Sequence, residues 1–277
     1  MKRYETMIGK RSLDNLIILD NAFNLKEKDL SYVPYVCSCC VNSTKKTIYV
    51  NFTCNKKCYY CSTQHYDLGP TDFFIGQEKE GKIINIKKQL SGIKAVVFSG
   101  GEPTLPGNFN KLLEILDYLS SLKEKYYACL FTNGDFLDKH KLNLLKQKGL
   151  MEIKISVHDY HIDKLILSKQ YFEKVFCEIP AIPGEVEKIK TLVYELNQIG
   201  MPQIIIDELQ FTPANTANLK EKGFKQGTNG EVIGSFGLVL DLAQNIKYDL
   251  ANFKIVFCPV SLRKHTYAHQ NKIEVKK

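Results

Sequence analysis

The stretch that most constrains this chain is Tyr49–Thr63, which reads YVNFTCNKKCYYCST. Cys54, Cys58 and Cys61 follow an apolar run in the spacing C-x3-C-x2-C. Thiolates are the soft ligands that iron–sulfur clusters take, and a short loop can wrap three of them around one face of a cube. Three protein ligands leave one iron of a 4Fe–4S cube without one, the opening that cluster chemistry on a substrate or cofactor requires. For the cysteines alone, a zinc site and buried thiols are the alternatives.

Some forty residues on comes AVVFSGGEPT (Ala95–Thr104), an apolar strand pattern ending in Gly100-Gly101-Glu102-Pro103. Together the two segments resemble the radical S-adenosylmethionine (SAM) superfamily. Its signature is C-x3-C-aromatic-x-C, with Tyr59 as the aromatic here, and it carries a similar GGEP at the end of its second strand. The resemblance implies an enzyme in which Cys54, Cys58 and Cys61 hold a 4Fe–4S cluster and SAM chelates the open iron. One electron would then split SAM to methionine and a 5′-deoxyadenosyl radical, which takes hydrogen from a substrate. Gly100, Gly101, Glu102 and Pro103 would cradle the amino group of SAM, the glycines allowing a close backbone approach that a Cβ would block. Tyr59 and Tyr60 would pack the loop against cluster or adenine.

From Lys46 the sequence alternates strand and helix patterns. Strands are expected at Thr47–Thr53, Ile93–Ser99, Tyr127–Phe131, Ile153–Val157, Val175–Ile179 and Gln203–Phe211. Helices are expected at Glu78–Leu90, at Phe109–Lys123 capped by Asn108, at Asp138–Lys148 stopped by Gly149, near His161–Lys169, and at Glu185–Ile199. This regularity predicts an α/β fold with a parallel sheet and helices outside. Six repeats, with a possible seventh strand at Phe253–Cys258, agree with the partial (β/α)6 barrel of radical SAM enzymes. Short N- and C-terminal extensions flank it, giving 1–45, a core at 46–230, and 231–277. Ahead of the core, Ile17–Leu19 reads as a short strand and Leu25–Tyr32 as a helical turn capped by Asn24.

Chemistry in such barrels sits at the carboxyl ends of strands. Those ends carry Thr132 and Asn133, then Ser156, His158 and His161, then Ile182, Gly184 and Glu187, and finally Asp207, Glu208 and Gln210. Thr132, Asn133 and Ser156 are candidate SAM contacts, and His158 and Glu208 candidate catalytic groups. Ile182, Gly184 and Glu187 resemble the G-x-I-x-G-x-x-E element that packs near the adenine in this family, with Pro180 replacing its first glycine. As alternatives, the histidines belong to a surface loop and Asn133-Gly134 is only a turn.

Cys37 and Cys40 form a C-x2-C half-site for zinc or an auxiliary cluster. Cys258 is a candidate third ligand, and Cys39 or His265 a fourth; packing cysteines in a lid are the rival reading. A narrower resemblance, carried by this C-x2-C, EIPAIPGE (Glu178–Glu185), DELQF (Asp207–Phe211), NLKEKGF (Asn218–Phe224) and VFCPVSLRK, runs from Cys37 to Asn271. It is to archaeal radical SAM proteins related to pyruvate formate-lyase activating enzyme, and it supplies no substrate. It implies an archaeal source and admits a second function, an activase that places a glycyl radical on a partner protein. A cluster- or zinc-binding sensor without radical chemistry is the non-enzymatic alternative.

The nine cysteines, and the lack of an apolar run long enough for a signal or membrane span, point to a reducing cytoplasm rather than a disulfide framework. A net charge of +8 is compatible with RNA as substrate, and equally with solvated lysines that keep the chain soluble. Arg263 and Lys264 either meet an anionic substrate or form an exposed basic tail. The expected partners are an electron donor of flavodoxin or ferredoxin type and a substrate that is RNA or a small metabolite.

Overall fold

The structure, a computed structural model, describes residues 2–9, 13–19, 31–51, 53–62, 90–250 and 252–266. The predicted helices Leu25–Tyr32 and Glu78–Leu90 fall outside these residues except at their C-terminal ends.

Six strands follow one another as the periodicity predicts: β2 (Lys45–Asn51), β3 (Ala95–Gly100), β4 (Tyr127–Thr132), β5 (Glu152–Ser156), β6 (Val175–Ala181) and β7 (Gln203–Glu208). β8 (Lys254–Cys258) is the seventh, and β1 (Leu16–Ile18) adds an eighth. All pair in parallel, in the order β1-β8-β7-β6-β5-β4-β3-β2, so β1 and β2 are open edges. The helices α3 (Pro106–Ser121), α4 (Lys139–Gln147), α5 (Asp163–Lys169) and α6 (Val186–Gln198) return the chain from one strand to the next. This is the partial barrel expected.

Strand alternation separates two cores. On β6 the burial pattern alternates strictly: Val175, Cys177, Ile179 and Ala181 join the outer core, while Glu178 faces the interior. The outer core joins Phe98, Leu130, Ile155 and Ile206 to helix residues such as Leu112, Leu142, Leu192 and Leu196. Each such side chain contributes about 1.5–3 kcal/mol by leaving water. Inside the barrel a smaller cluster joins Val97, Cys129, Ile205 and Val256 to α2 (Tyr35–Val41), through Val36, Cys37 and Cys40. The ring of Tyr35 lies 4.6 Å from that of Tyr127, at the N-terminal end of β4, so α2 closes the barrel floor.

The N-terminal helix α1 (Lys2–Ile8) packs on the outside, with the Tyr4 ring edge-on to Phe236 and Phe257. Phe236 belongs to α8 (Ser235–Ile246), which follows the short α7 (Thr216–Glu221).

Two boundaries differ from expectation. α3 begins at Pro106 with Leu105 as its cap, because proline at the first helical position fixes the required φ. Asn108 therefore lies inside the helix, and its amide donates to the Glu102 carbonyl at 3.0 Å. β7 stops at Glu208 rather than Phe211: Gln210 bridges Glu231 in antiparallel fashion, and Phe211 N donates to the Gly230 carbonyl at 2.7 Å.

Candidate active site

A cleft at the carboxyl ends of the strands is lined by Cys54, Cys58 and Cys61 on one wall. The ends of β3 to β7 form the others. The three cysteines are half-buried, and the segment that carries them is pinned at several points. Glu102 N donates to the Thr53 carbonyl at 2.8 Å, and Cys61 N to the Cys58 carbonyl at 3.0 Å. Buried Asn215 donates to the Tyr60 carbonyl at 2.9 Å and accepts from Thr212 N at 2.8 Å. Thr212 in turn reaches the Ser62 carbonyl at 3.3 Å. Tyr59 lies parallel to Phe224 at 6.4 Å and edge-on to Tyr60 at 5.1 Å. Both tyrosines pack on a cluster that contains Ile182, Leu209 and Phe211, so they fasten the loop by burying apolar surface.

At Cys54 and Cys58 the backbone and side-chain nitrogens stand at long range from sulfur. Lys56 N is 3.4 Å and Asn133 Nδ2 3.9 Å from Cys54 Sγ, and His158 Nδ1 is 3.6 Å from Cys58 Sγ. Burial raises the pKa of both Cys54 and Cys58. His158 also lies 2.8 Å from the Tyr60 hydroxyl, and burial, with Lys56 adding to it, lowers its pKa. Lys56 itself sits between Asp135 (3.1 Å) and Asp159 (2.9 Å).

Beneath the loop, Gly100 has φ 124°, a conformation that favours glycine, and it lines the cleft with Gly101. Glu102 is 1% exposed, and its carboxylate accepts four hydrogen bonds. Thr104 N (2.9 Å), Thr104 Oγ1 (2.5 Å) and Thr132 Oγ1 (2.5 Å) meet one oxygen; Asn133 N (2.7 Å) meets the other. The carboxylate thus ties β3 to β4 from below, and Pro103 is buried beside it. Asn133 and Ser156 line the cleft. Ile182 packs under the tyrosines, Gly184 takes φ 94° in the turn, and Glu187 starts α6; none of the three is among the cleft-lining residues. His161 lies in a neighbouring depression with Asp159 and Lys164.

Alternation splits the end of β7. Asp207 faces the interior, and Glu208 sends its carboxylate outward to Tyr4 (2.7 Å), Val260 N (2.9 Å) and Arg3 (3.2 Å). The sequence offered no sign of this clasp, which joins residues 204 positions apart. Arg263 is no exposed tail: it reaches inside to Asp207 at 3.9 Å and donates to the Glu208 carbonyl. Lys264 is exposed and donates to the Asn229 carbonyl at 2.6 Å.

The second cysteine group converges inside the barrel, but each thiol has its own polar partner. Lys154 Nζ is 3.0 Å from Cys37 Sγ, Cys40 Sγ is 3.3 Å from Thr266 Oγ1, and Cys258 lies opposite Asp207 in the β7–β8 register. Cys39 is buried, and His265 is exposed, 3.5 Å from Ser43 Oγ. Burial pushes Cys37 up to about 11, against the opposing pull of Lys154. Among the described residues no three His, Cys, Asp or Glu side chains stand close enough to hold a single metal ion. At the mouth, by contrast, three thiols share one cleft wall with Gly100 and Gly101 across from them, and thiolates are the donor set that a 4Fe–4S cube takes.

The sequence profile of the Radical SAM superfamily matches residues 48–206. A Methanocaldococcus jannaschii protein, named as a candidate glycyl-radical enzyme activating enzyme, is 26% identical over 86% of this chain and 66% of its own length. A GTP 3′,8-cyclase of Aquifex aeolicus is 30% identical over 40% of this chain and 34% of its own. Among solved structures, native anSMEcpe with bound AdoMet superposes with a TM-score of 0.52 at 16% identity, covering 77% of this chain and 63% of that one. The chain thus spans between about a third and just under two thirds of these proteins' lengths.

Proposed function

This chain belongs to the radical SAM superfamily, and on that premise we propose that it reductively cleaves SAM and takes a hydrogen atom from a substrate, RNA or a small metabolite. The observation that carries the reading is the loop of Cys54, Cys58 and Cys61, pinned by Asn215 and Glu102 over the carboxyl ends of a parallel barrel. Those three residues would hold a 4Fe–4S cluster, and when bound the cluster supplies the electron that splits the C5′–S bond of SAM. The protein's part is orientation and exclusion of water.

Gly100 and Gly101 leave space for the methionyl end of SAM, and Glu102 acts by fixing the strand ends that carry Thr132 and Asn133. Asn133 and Ser156 face the same space and are placed to meet SAM. His158, tied to Tyr60 and beside Cys58, is set to hydrogen-bond the cluster environment; Glu208, bound to Arg3 and Tyr4, serves the fold. The electron comes from a donor of flavodoxin or ferredoxin type. No helix among the described residues is long and apolar enough to cross a membrane. With nine cysteines unpaired, we place the protein in a reducing cytoplasm.

A second reading, an activase acting on a partner protein, is favoured by the similarity to the Methanocaldococcus protein. Anaerobic reconstitution followed by reduction with SAM present tests the main reading. About four irons per chain and release of 5′-deoxyadenosine are expected. A full cluster without 5′-deoxyadenosine would reduce the protein to a sensor. A glycyl-radical signal on an added partner, with no turnover of RNA or metabolites, would select the activase.

A further inference from the structure

Between β6, β7 and the helical residues 260–266, the cleft is lined by Glu178, Asp207, Gln210 and Arg263. Glu178 is held by Lys154 at 3.2 Å, and Lys154 is buried between it and Cys37. Arg263 and Asp207 are only loosely joined: their nearest nitrogen and oxygen are 3.9 Å apart, beyond hydrogen-bond range, and each side chain is 27% exposed. Two polar atoms here are buried without a partner, Arg263 Nε, a donor, and Gln210 Oε1, an acceptor. Buried polar groups in folded proteins are nearly always paired, so such a couple in a cleft calls for a ligand offering both an acceptor and a donor.

Charge narrows the class. Two carboxylates and two cations make this wall neutral overall but polarised, with Asp207 and Gln210 on the accepting side and Arg263 on the donating side. Burial and the neighbouring Glu178 push Asp207 up to about 6, a cost that an ammonium beside it would relieve. A polyphosphate or an RNA backbone would need several cations at hand. The lysine and arginine among the described lining residues are Lys56, between two aspartates, and Arg263, too few to neutralise several phosphates.

We propose that Asp207, Gln210 and Arg263 form the substrate-recognition subsite of this cleft, and that it takes a small zwitterion, a free amino acid. Its ammonium lies against Asp207 and Gln210, and its carboxylate accepts from Arg263. The inference rests on reading the cleft as the place where SAM is cleaved. It selects a small metabolite over RNA.

The test uses reconstituted, SAM-saturated protein, titrated calorimetrically with each of the proteinogenic amino acids. Any amino acid that binds is compared with its decarboxylated amine and its deaminated acid, and GTP is tested alongside. At least one amino acid is expected to bind, with amine and acid each weaker by about tenfold or more. Asp207→Asn and Arg263→Lys should each weaken it by about tenfold, and Gln210→Ala by less, with SAM affinity unchanged. Should Arg263→Lys fail to fold, the isosteric Asp207→Asn and Gln210→Ala carry the comparison.

The proposal is overturned if no amino acid binds, if amine or acid alone binds as tightly, or if GTP binds instead. It is overturned equally if the substitutions weaken SAM rather than the amino acid, which would assign the pair to the methionyl end of SAM. 5′-Deoxyadenosine release is scored separately. SAM cleavage without amino-acid binding removes only the subsite. Binding that depends on Asp207 and Arg263 without SAM cleavage removes the radical reading and keeps the subsite.

Discussion

Cysteine appears twice in this molecule in ligand-like spacing, and the two settings could hardly differ more. At the mouth, Cys54, Cys58 and Cys61 are half-buried on one short loop, with Lys56 N 3.4 Å from the first sulfur and His158 3.6 Å from the second. On the floor, Cys37 and Cys40 are buried in a helix, and the first has a lysine 3.0 Å away. Spacing alone proposes both as metal sites. Surroundings separate them: a ligand thiol needs access and no stronger competitor, and an interior thiol that already has a cation or hydroxyl beside it behaves as part of the packing.

The sharpest break in this comparison comes from iron. Changing any one of Cys54, Cys58 or Cys61 to alanine should drop reconstituted iron from about four per chain to near zero, whereas Cys37→Ala and Cys258→Ala should leave it intact. A wild-type count of about eight that halves in the interior variants would make the two groups alike after all. Alkylation of cluster-free protein, read by mass spectrometry, sharpens the contrast. The mouth thiols should label at least about 100-fold faster than Cys37, Cys40, Cys129 and Cys177, which react only through opening of the fold.

Lys154 is the next lever. Lys154→Met leaves Glu178 unpaired inside the barrel and should cost about 3–5 kcal/mol in urea unfolding, part of it regained by adding Glu178→Gln. An unchanged midpoint would mean that the interior is wetter than its burial indicates. The smallest effect is a slope with pH at Asp207, the partner of Cys258. Its carboxyl titrates at about 6 when folded, against 3.8 for an ordinary aspartate. Between those values the folded chain holds more protons than the unfolded one, so stability should fall as pH rises through that window, by about 1–2 kcal/mol in all given the partial exposure of the side chain. Asp207→Asn should abolish that slope; a slope that persists would place the titrating group elsewhere.

Local pattern carried most of the scaffold into view. Alternation on Val175–Ala181 and helical spacing of Leu112, Leu116 and Leu119 report which face of each element is buried, and parallel order follows from strand–helix repetition. The mouth loop was legible because its ligands lie within eight residues of one another. What escaped were partners joined only by the fold. Asn215 looks like any turn asparagine until it is seen on the Tyr60 carbonyl, 155 residues away. Arg263 reads as part of a basic tail until its helix turns it onto Asp207. Glu208 was a candidate for chemistry on strand position, yet a one-residue step along β7 sends its carboxylate to the opposite face.

The pairing of β1 with β8 carries a lesson about assembly. Leu16 lies beside Ile255, and Lys254 donates to the Asp14 carbonyl across 240 residues of sequence. As the chain is synthesised, β1 waits for β8, the last of the described strands in sequence, before the two can pair. Contacts so remote in sequence are slow to form. The sheet is therefore completed last at the border where β1 meets β8, and a nick in β1 would loosen that border while β8 stays paired with β7.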